Sequence, residues 1–522
     1  MKSICSFLVL FILSYTLTGQ NQFSNDSVLR VIYTHQYNAE SSALLPYFKH
    51  ENEAYRKSAV MAFASIQDPS IENQLFDVLK NDASTEVKQA AVFSLGQLRL
   101  QSISRDLIKL INKKQYQELE ADLLMAIGKG AKIDDMKFFD NYSLESNNSM
   151  TAKAYVYAVY QAYRRDSLSS GIQDKLKAIQ ALKFGEETDV MLAVLLKKKQ
   201  SIKEASSGKN QNYRKVTYDL VILSSISKEE PYRMIKNIKR NGMETKDFLK
   251  VAEATDLPHA LRTWCLEEYI ERNGGLPSEV IQRLLESHNS SFISLACAEI
   301  RKDSSLIDSK EQREKLQDVQ KELIMPRDFE AWVDIEKALA FINNTTYTYK
   351  SWFEYKAPSP DWVKYGYSNP IDWKYVRSIK QNQKVRITTN KGIIEIECKV
   401  NESPASVANF LKLVDTGFYN NKYFHRVVPN FVIQGGCPRG DGWGSLNWLQ
   451  RSEFSNSLTY KPGMVGLASS GKDSEGVQWF ITHTYTPHLD GRYTIFAEVT
   501  KGMDVVNAIE VGDTIQKVER IK

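Results

Sequence analysis

Through the first third of the chain, apolar side chains return at i, i+3, i+4 and i+7, the spacing of one face of an α-helix, and blocks of that pattern recur 32 residues apart. Tyr55-Arg56-Lys57-Ser58-Ala59-Val60 lies over Val87-Lys88-Gln89-Ala90-Ala91-Val92; Ala62, Ser94 and Ala126 coincide, as do Phe63, Leu95 and Ile127, and then Ala64, Gly96 and Gly128. A partner helix repeats in step, with Leu75, Phe76, Val78 and Leu79 over Leu107, Ile108, Leu110 and Ile111. One such helix pair cannot bury its own apolar face, so the copies must stack into an all-α solenoid. Beyond residue 150 the register decays while helical periodicity persists, and Pro231, Pro258, Pro277 and Pro326 each stand near a plausible helix start. Residues 25–345 therefore read as one solenoid, continuous or broken in its middle. From Lys384 the period drops to two: Val385–Thr389 and Ile393–Glu397 flank Asn390-Lys391-Gly392 as a hairpin, and Ser403-Pro404 opens a helix as N-cap and first residue.

The 32-residue units resemble short HEAT-like repeats, whose surfaces hold extended protein partners. Between solenoid and strands, residues 346–383 turn to Tyr, Trp, Pro and Asn, including Trp352, Trp362 and Trp373. A flexible linker would not expose so much apolar area, so this connector is expected to pack on its neighbours. At the other end, Met1-Lys2-Ser3, an apolar run from Ile4 to Leu13 and small residues up to Gly19 have the form of a secretory signal peptide over 1–19. Export to a bacterial periplasm or to the outside is the resulting expectation. Gln20 follows the expected cut, where a lipid-anchored protein would need Cys, and no other stretch reaches the roughly 18 apolar residues of a membrane helix.

Composition narrows the partners. Lys+Arg 68 against Asp+Glu 63 gives +5, an excess too small for a nucleic-acid or membrane-surface binder. Five cysteines, none at CxxC spacing, form neither a disulfide framework nor a metal cluster, although Cys265 and Cys297 stand one repeat apart as either a disulfide or two buried thiols. Tyr155, Tyr157, Tyr160 and Tyr163, at helical spacing, read as packing rather than a recognition stripe, and the lysines around Lys197-Lys198-Lys199 as a solvated loop.

Phe424-His425-Arg426 opens a segment that closes on Gln434-Gly435-Gly436; strand alternation would set Phe424, Arg426 and Val428 on one face. An arginine among apolar residues needs a salt-bridge partner or a task. Together with Phe431, Gly466-Leu467-Ala468-Ser469, Gly476-Val477-Gln478-Trp479-Phe480-Ile481, Leu489-Asp490-Gly491-Arg492 and Phe496-Ala497-Glu498-Val499, in order, residues 384–522 resemble the cyclophilin family of peptidyl-prolyl cis/trans isomerases. That resemblance implies a closed eight-stranded antiparallel β-barrel with two capping helices, the second over 502–510. It implies Arg426 as the donor to the prolyl nitrogen and Phe431, Val432, Phe480, Leu489 and Tyr493 as the proline pocket. Gln434 and the backbone around Ala468 and Ser469 would hold the peptide, with Gln478 and His488 also at the substrate. No cofactor or metal is implied. Departures from the family pattern, His488 for Trp, Tyr493 for His, Ser469 for Asn and Val432 for Met, bear on the rim and on cyclosporin binding rather than on the central set.

Two lookalike motifs carry no chemistry in this reading. Gly466–Lys472 imitates a phosphate loop until Asp473 stands where Mg²⁺ ligation needs Ser or Thr, and Arg439-Gly440-Asp441 is taken as a coincidental adhesion tripeptide. The expected function is an exported prolyl isomerase acting on proline-containing polypeptides, its solenoid recruiting clients or an unidentified protein partner. The alternative is a scaffold whose barrel binds proline segments with little catalysis.

Overall fold

The computed structural model describes residues 19–522 except 145–147, 163–167, 197–233, 236–237, 239–241, 308–309, 325–327, 349–368, 429–430 and 522. The apolar run of the expected signal peptide, the lysine-rich loop, Tyr163, Pro231, Pro326, Trp352 and Trp362 lie outside the described residues.

The front half is helical, and the three-copy register explains how its helices approach. Helices Glu53–Ile66, Thr85–Gln97, Glu120–Gly130 and Ser149–Ala162 stack side by side. A Cβ on Gly96 would lie 2.8 Å from Ala126 Cα, and one on Gly128 would lie 2.4 Å from Ala158 Cα. Small side chains at these crossings are thus what lets consecutive repeats touch backbone to backbone. Ala158 continues the Ala62, Ser94, Ala126 column, so a fourth copy exists where the sequence register had seemed to decay; bulky neighbours such as Tyr155 and Tyr157 disguise it. Both tyrosines are buried, and Tyr155 Oη donates to Phe139 O (2.8 Å), which makes them packing residues.

The solenoid has two cores. One runs from Ile32 to Leu195, the other from Met234 to Ala338, and they form separate apolar clusters. Cys265 and Cys297 belong to the second as buried free thiols, which removes the disulfide alternative. Pro258 and Pro277 stand at the N-cap of their helices, one residue earlier than the position proline most favours.

The strand-rich region departs from the expected closed barrel. Strands β1 (Lys384–Thr389), β2 (Gly392–Cys398), β3 (Lys422–Tyr423), β4 (Arg426–Val428), β5 (Val432–Gly435), β6 (Met464–Leu467), β7 (Trp479–Thr482), β8 (Ile495–Lys501) and β9 (Thr514–Ile521) form one antiparallel nine-stranded sheet, ordered β3-β9-β1-β2-β8-β6-β7-β5-β4, curled into a half-barrel. Its two edge strands are consecutive in the chain. Phe424 and His425 join them, and Phe424 exchanges backbone hydrogen bonds with Gly512 and Asp513 instead of with β4, so the ends meet through a two-residue crossover and not through a ladder. That crossover also overturns the expected alternation: Phe424 is fully buried against Trp479 while Arg426, two residues on, is exposed.

Helices Pro404–Asp415 and Met503–Ala508 cover the sheet as expected. Ser403 stands at the first helix's N-cap, yet its hydroxyl donates to Lys399 O. The cap comes from afar: the buried carboxylate of Glu453 accepts from Ala405 N (3.1 Å), Ser406 N (2.8 Å) and Ser406 Oγ (2.6 Å). Burial pushes the Glu453 carboxyl up to about 7.

Solenoid and sheet are not separate beads. Phe23, Leu29 and Tyr33, from the start of the described chain, sit in the same apolar core as the sheet, beside Trp373 from the end of the connector. Asn21 Nδ2 donates to Val376 O and Ile379 O (both 2.8 Å), and Trp373 Nε1 donates to Thr34 Oγ1 (2.8 Å). The described end of the connector therefore packs on both neighbours.

Candidate active site

Cross-strand pairing sets the central row of the site. Arg426 of β4 faces Gln434 of β5, Gln434 faces Phe480 of β7, and Phe480 faces Gly466 of β6. Directly opposed residues of an antiparallel pair project to the same side, so the cation, the amide and the aromatic ring line up on one face. Gly466 ends the row because space requires it. A Cβ there would lie 2.1 Å from Tyr460 Oη and 2.5 Å from Phe480 Cζ.

A relay of amides fixes the polar part. Arg426 Nη1 donates to Gln434 Oε1 (3.3 Å), Gln434 Nε2 to Gln478 Oε1 (3.0 Å), and Gln478 Nε2 to Gly442 O (2.7 Å) and Gly444 O (2.9 Å). Each amide is thereby oriented, so Gln434 presents its oxygen to the guanidinium. Among the described residues no carboxylate forms an ion pair with Arg426, which leaves its remaining N–H groups to the groove.

The apolar part is a small cluster distinct from the main sheet core: Val432, Tyr460, Met464, Phe480, Leu489 and Ile495, with Phe431, Ala468 and Tyr493 against it. Tyr493 meets Phe480 edge to face at 5.8 Å, and burial raises its phenol above the ordinary range. Both parts open on one cavity of about 250 Å³. Arg426, Phe431, Val432, Gln434, Ala468, Ser469, Gln478, Phe480, Leu489 and Tyr493 all line it. His488 does not: it is exposed, its ring stacked on Phe431 at 5.3 Å outside the cavity lining, and partial desolvation lowers its pKa. The sequence reading missed Trp443, Ser445, Leu449, Ser470 and Ser474, which come from irregular loops, and Glu330, which comes from the solenoid.

The phosphate-loop lookalike is an ion-pair corner. Asp473 accepts from Lys472 (2.5 Å) and Arg451 (3.2 Å), and its backbone N–H donates to Ser452 Oγ (3.0 Å). No group of three metal-ligating side chains occurs among the described residues. The described lining of the cavity holds no histidine, lysine or cysteine to act as nucleophile or base. An apolar cup beside one oriented cation can grip a small ring and donate a hydrogen bond to it.

Residues 384–522 match the family described as cyclophilin type peptidyl-prolyl cis-trans isomerase, and residues 41–128 match HEAT repeats. Peptidyl-prolyl cis-trans isomerase B of Bacillus subtilis is 42% identical over 126 residues, 24% of this chain and 88% of its own length. A peptidyl-prolyl cis-trans isomerase of Helicobacter pylori is 41% identical over 135 residues, 25% of this chain and 83% of its own length. A solved cyclophilin type isomerase from Cryptosporidium parvum is 30% identical over 27% of this chain and 98% of that one, with a TM-score of 0.26. The chain belongs to the cyclophilin-type peptidyl-prolyl cis-trans isomerases, with HEAT repeats ahead of the isomerase region.

Proposed function

We propose that this chain is an exported prolyl isomerase in which Arg426 drives the reaction and the solenoid brings folding clients to the groove. The observation that carries it is the Arg426 guanidinium, without an ion-pair partner among the described residues, set beside an apolar cup. Rotation about an X–Pro bond crosses a barrier of roughly 18–20 kcal/mol because amide resonance is lost, and uncatalysed it takes about 10–100 s. No covalent bond changes. What lowers the barrier is a donor that meets the prolyl nitrogen only when its lone pair is freed, with the ring held still. Arg426 supplies the donor, Phe431, Val432, Phe480, Leu489 and Tyr493 hold the ring, and Gln434, Gln478, Ala468 and Ser469 hold the flanking peptide.

Replacing Arg426 with Ala is expected to lower kcat/KM on a proline tetrapeptide by roughly 10²–10³-fold with Tm unchanged. Unchanged turnover would overturn the assignment, and a wild type that binds the peptide without accelerating it would make the barrel an adaptor.

Export is supported by the apolar run from Ile4 to Leu13 and the small residues that lead up to Gly19. Fractionation followed by N-terminal sequencing should find a mature chain beginning near Gln20 outside the cytoplasm; an intact Met1 in the cytoplasm refutes it. Client recruitment rests on the stacked repeats, and a pull-down with a solenoid that captures no polypeptide would refute that part.

A further inference from the structure

Only two charged side chains line the groove among the described residues: Arg426 from β4 and Glu330 from the solenoid. Glu330 sits in the first turn of helix Phe329–Ile342, outside the region that matches the isomerase family. A helix N-terminus is a favourable place for a carboxylate. Ser470 of the isomerase region lines the same cavity, and its hydroxyl works against the rise in the Glu330 pKa. Ser470 lies on the polar wall of the cavity, with Ser445, Ser469, Ser474 and Gly476, whereas the proline ring belongs on the apolar cluster.

Neighbouring acids have cations of their own. Asp334 is paired with Arg301 (3.1 Å) and Lys337 (3.2 Å), and Asp441 with Arg439 (2.7 Å). No described cation forms an ion pair with Glu330. Its environment already strains the charged form: burial, then Asp334 and Asp441, push its pKa up to about 7, against the Ser470 hydroxyl and Lys337. Tyr493 and Arg426 share the cavity with it. A cationic side chain delivered by a ligand would relieve that strain. The distance is suitable as well, because Ala468 packs on the apolar cluster and Ser470 is two residues further on, at most about 7 Å of extended chain. A substrate residue next to the X–Pro bond, or one beyond it, reaches that far.

We propose that Glu330 makes this isomerase select chains carrying lysine or arginine beside the X–Pro bond, so that the solenoid contributes a specificity residue to the groove. This rests on the isomerase reading above. The selection exists only while the carboxylate is ionised, so it strengthens as pH rises through about 7 and fades below it.

The test uses the full mature chain and tetrapeptides with Lys, Gln or Glu at one position flanking X–Pro, before it or after it. At pH 8 the kcat/KM ratio of the lysine to the glutamate peptide should be on the order of tenfold for the wild type. It should approach one in Glu330→Gln, invert in Glu330→Lys, and shrink between pH 8 and pH 6 in the wild type alone. Equal ratios in wild type and Glu330→Gln at pH 8 overturn the proposal while leaving the isomerase reading intact. If the wild type turns over no peptide, the isomerase reading fails. The lysine-to-glutamate ratio of Kd values, read by fluorescence polarisation for wild type and Glu330→Gln, then decides the charge selection by itself.

Discussion

The guanidinium of Arg426 is oriented by a neutral amide, and a neutral orienter leaves its charge undiminished for a ligand. Gln434 is the linchpin, since it accepts from Arg426 and donates to Gln478. Gln434→Leu should keep the side chain's size and lose both bonds. The expected outcome is a fall in kcat/KM of roughly 10–100-fold, mostly in kcat, with a Tm close to wild type. Leucine cannot hold the donor, but it leaves the sheet's packing intact. The members of this row were legible in the sequence only through the ordered motifs of the family resemblance; the pairing that sets Arg426, Gln434 and Phe480 abreast came from the structure. Glu330 was not legible, since only tertiary packing brings a helix from the second solenoid core to the groove. A second residue-scale prediction concerns Glu475, fully buried, hydrogen-bonded to Thr494 Oγ1 (2.8 Å), with burial pushing its pKa up to about 8. The folded state holds that proton while the unfolded chain releases it near pH 4.3. Stability contributed by the protonated carboxyl is therefore lost as pH rises from about 4.3 toward 8, by linkage. Glu475→Gln should flatten the fall of Tm between pH 5 and pH 8; an unchanged slope would show that Glu475 is ionised in the fold.

Whole elements answer to a different constraint, how closely backbones must approach. The 32-residue column of Ala62, Ser94, Ala126 and Ala158 sits beside Gly96 and Gly128 at helix crossings too tight for a Cβ. Gly128→Ala would drive a methyl into the Ala158 backbone, 2.4 Å away. Overpacking of this kind costs about 1–3 kcal/mol, and because the obstacle is backbone the upper part of that range applies. Thermal unfolding followed by helical circular dichroism should show Tm falling by several degrees. No change in Tm would mean that the repeats slide apart without cost. Periodicity revealed the solenoid because its copies share one register. It could not reveal how the sheet closes, because alternation says nothing of where a strand stops. Phe424 and His425 read as strand, yet the pull of the core on Phe424 breaks the pairing between β3 and β4. The helix cap shows the same limit: Ser403 carried the local signal, but a buried carboxylate far along the chain does the capping.

At the scale of the molecule, the solenoid holds the isomerase region at two places that flank the groove. Its first core grips the turn carrying Leu489: Gln97 Nε2 donates to Gly491 O (2.9 Å) and Gln161 Nε2 to Pro487 O (3.0 Å). Its second core takes Arg439, whose Nη groups donate to Ser290 Oγ (3.4 Å) and Asn289 Oδ1 (3.3 Å), so the adhesion-like tripeptide is an internal staple. Leu489 belongs to one wall of the groove, and Gly444, in the loop that follows the staple, to another. The groove's width is therefore set by solenoid contacts as well as by the sheet. Gln97 is fully buried, and a Cβ on Gly491 would fall 2.3 Å from its Nε2, so the grip is close-fitting. Gln97→Ala with Gln161→Ala removes these two hydrogen bonds to the turn, leaving only the longer one from Arg99 Nη2 to Gly491 O (3.5 Å) and the sheet's own ladder. Each such bond contributes only about 0.5–1.5 kcal/mol, too little to unfold the chain but enough to free a short turn. The double variant should keep its global Tm within a few degrees, exchange the Leu489 and Gly491 amide hydrogens faster, and raise KM for proline peptides several-fold with a smaller change in kcat. Unaltered exchange at that turn would show that the isomerase region sets its own groove and that the first solenoid core is a bystander to it.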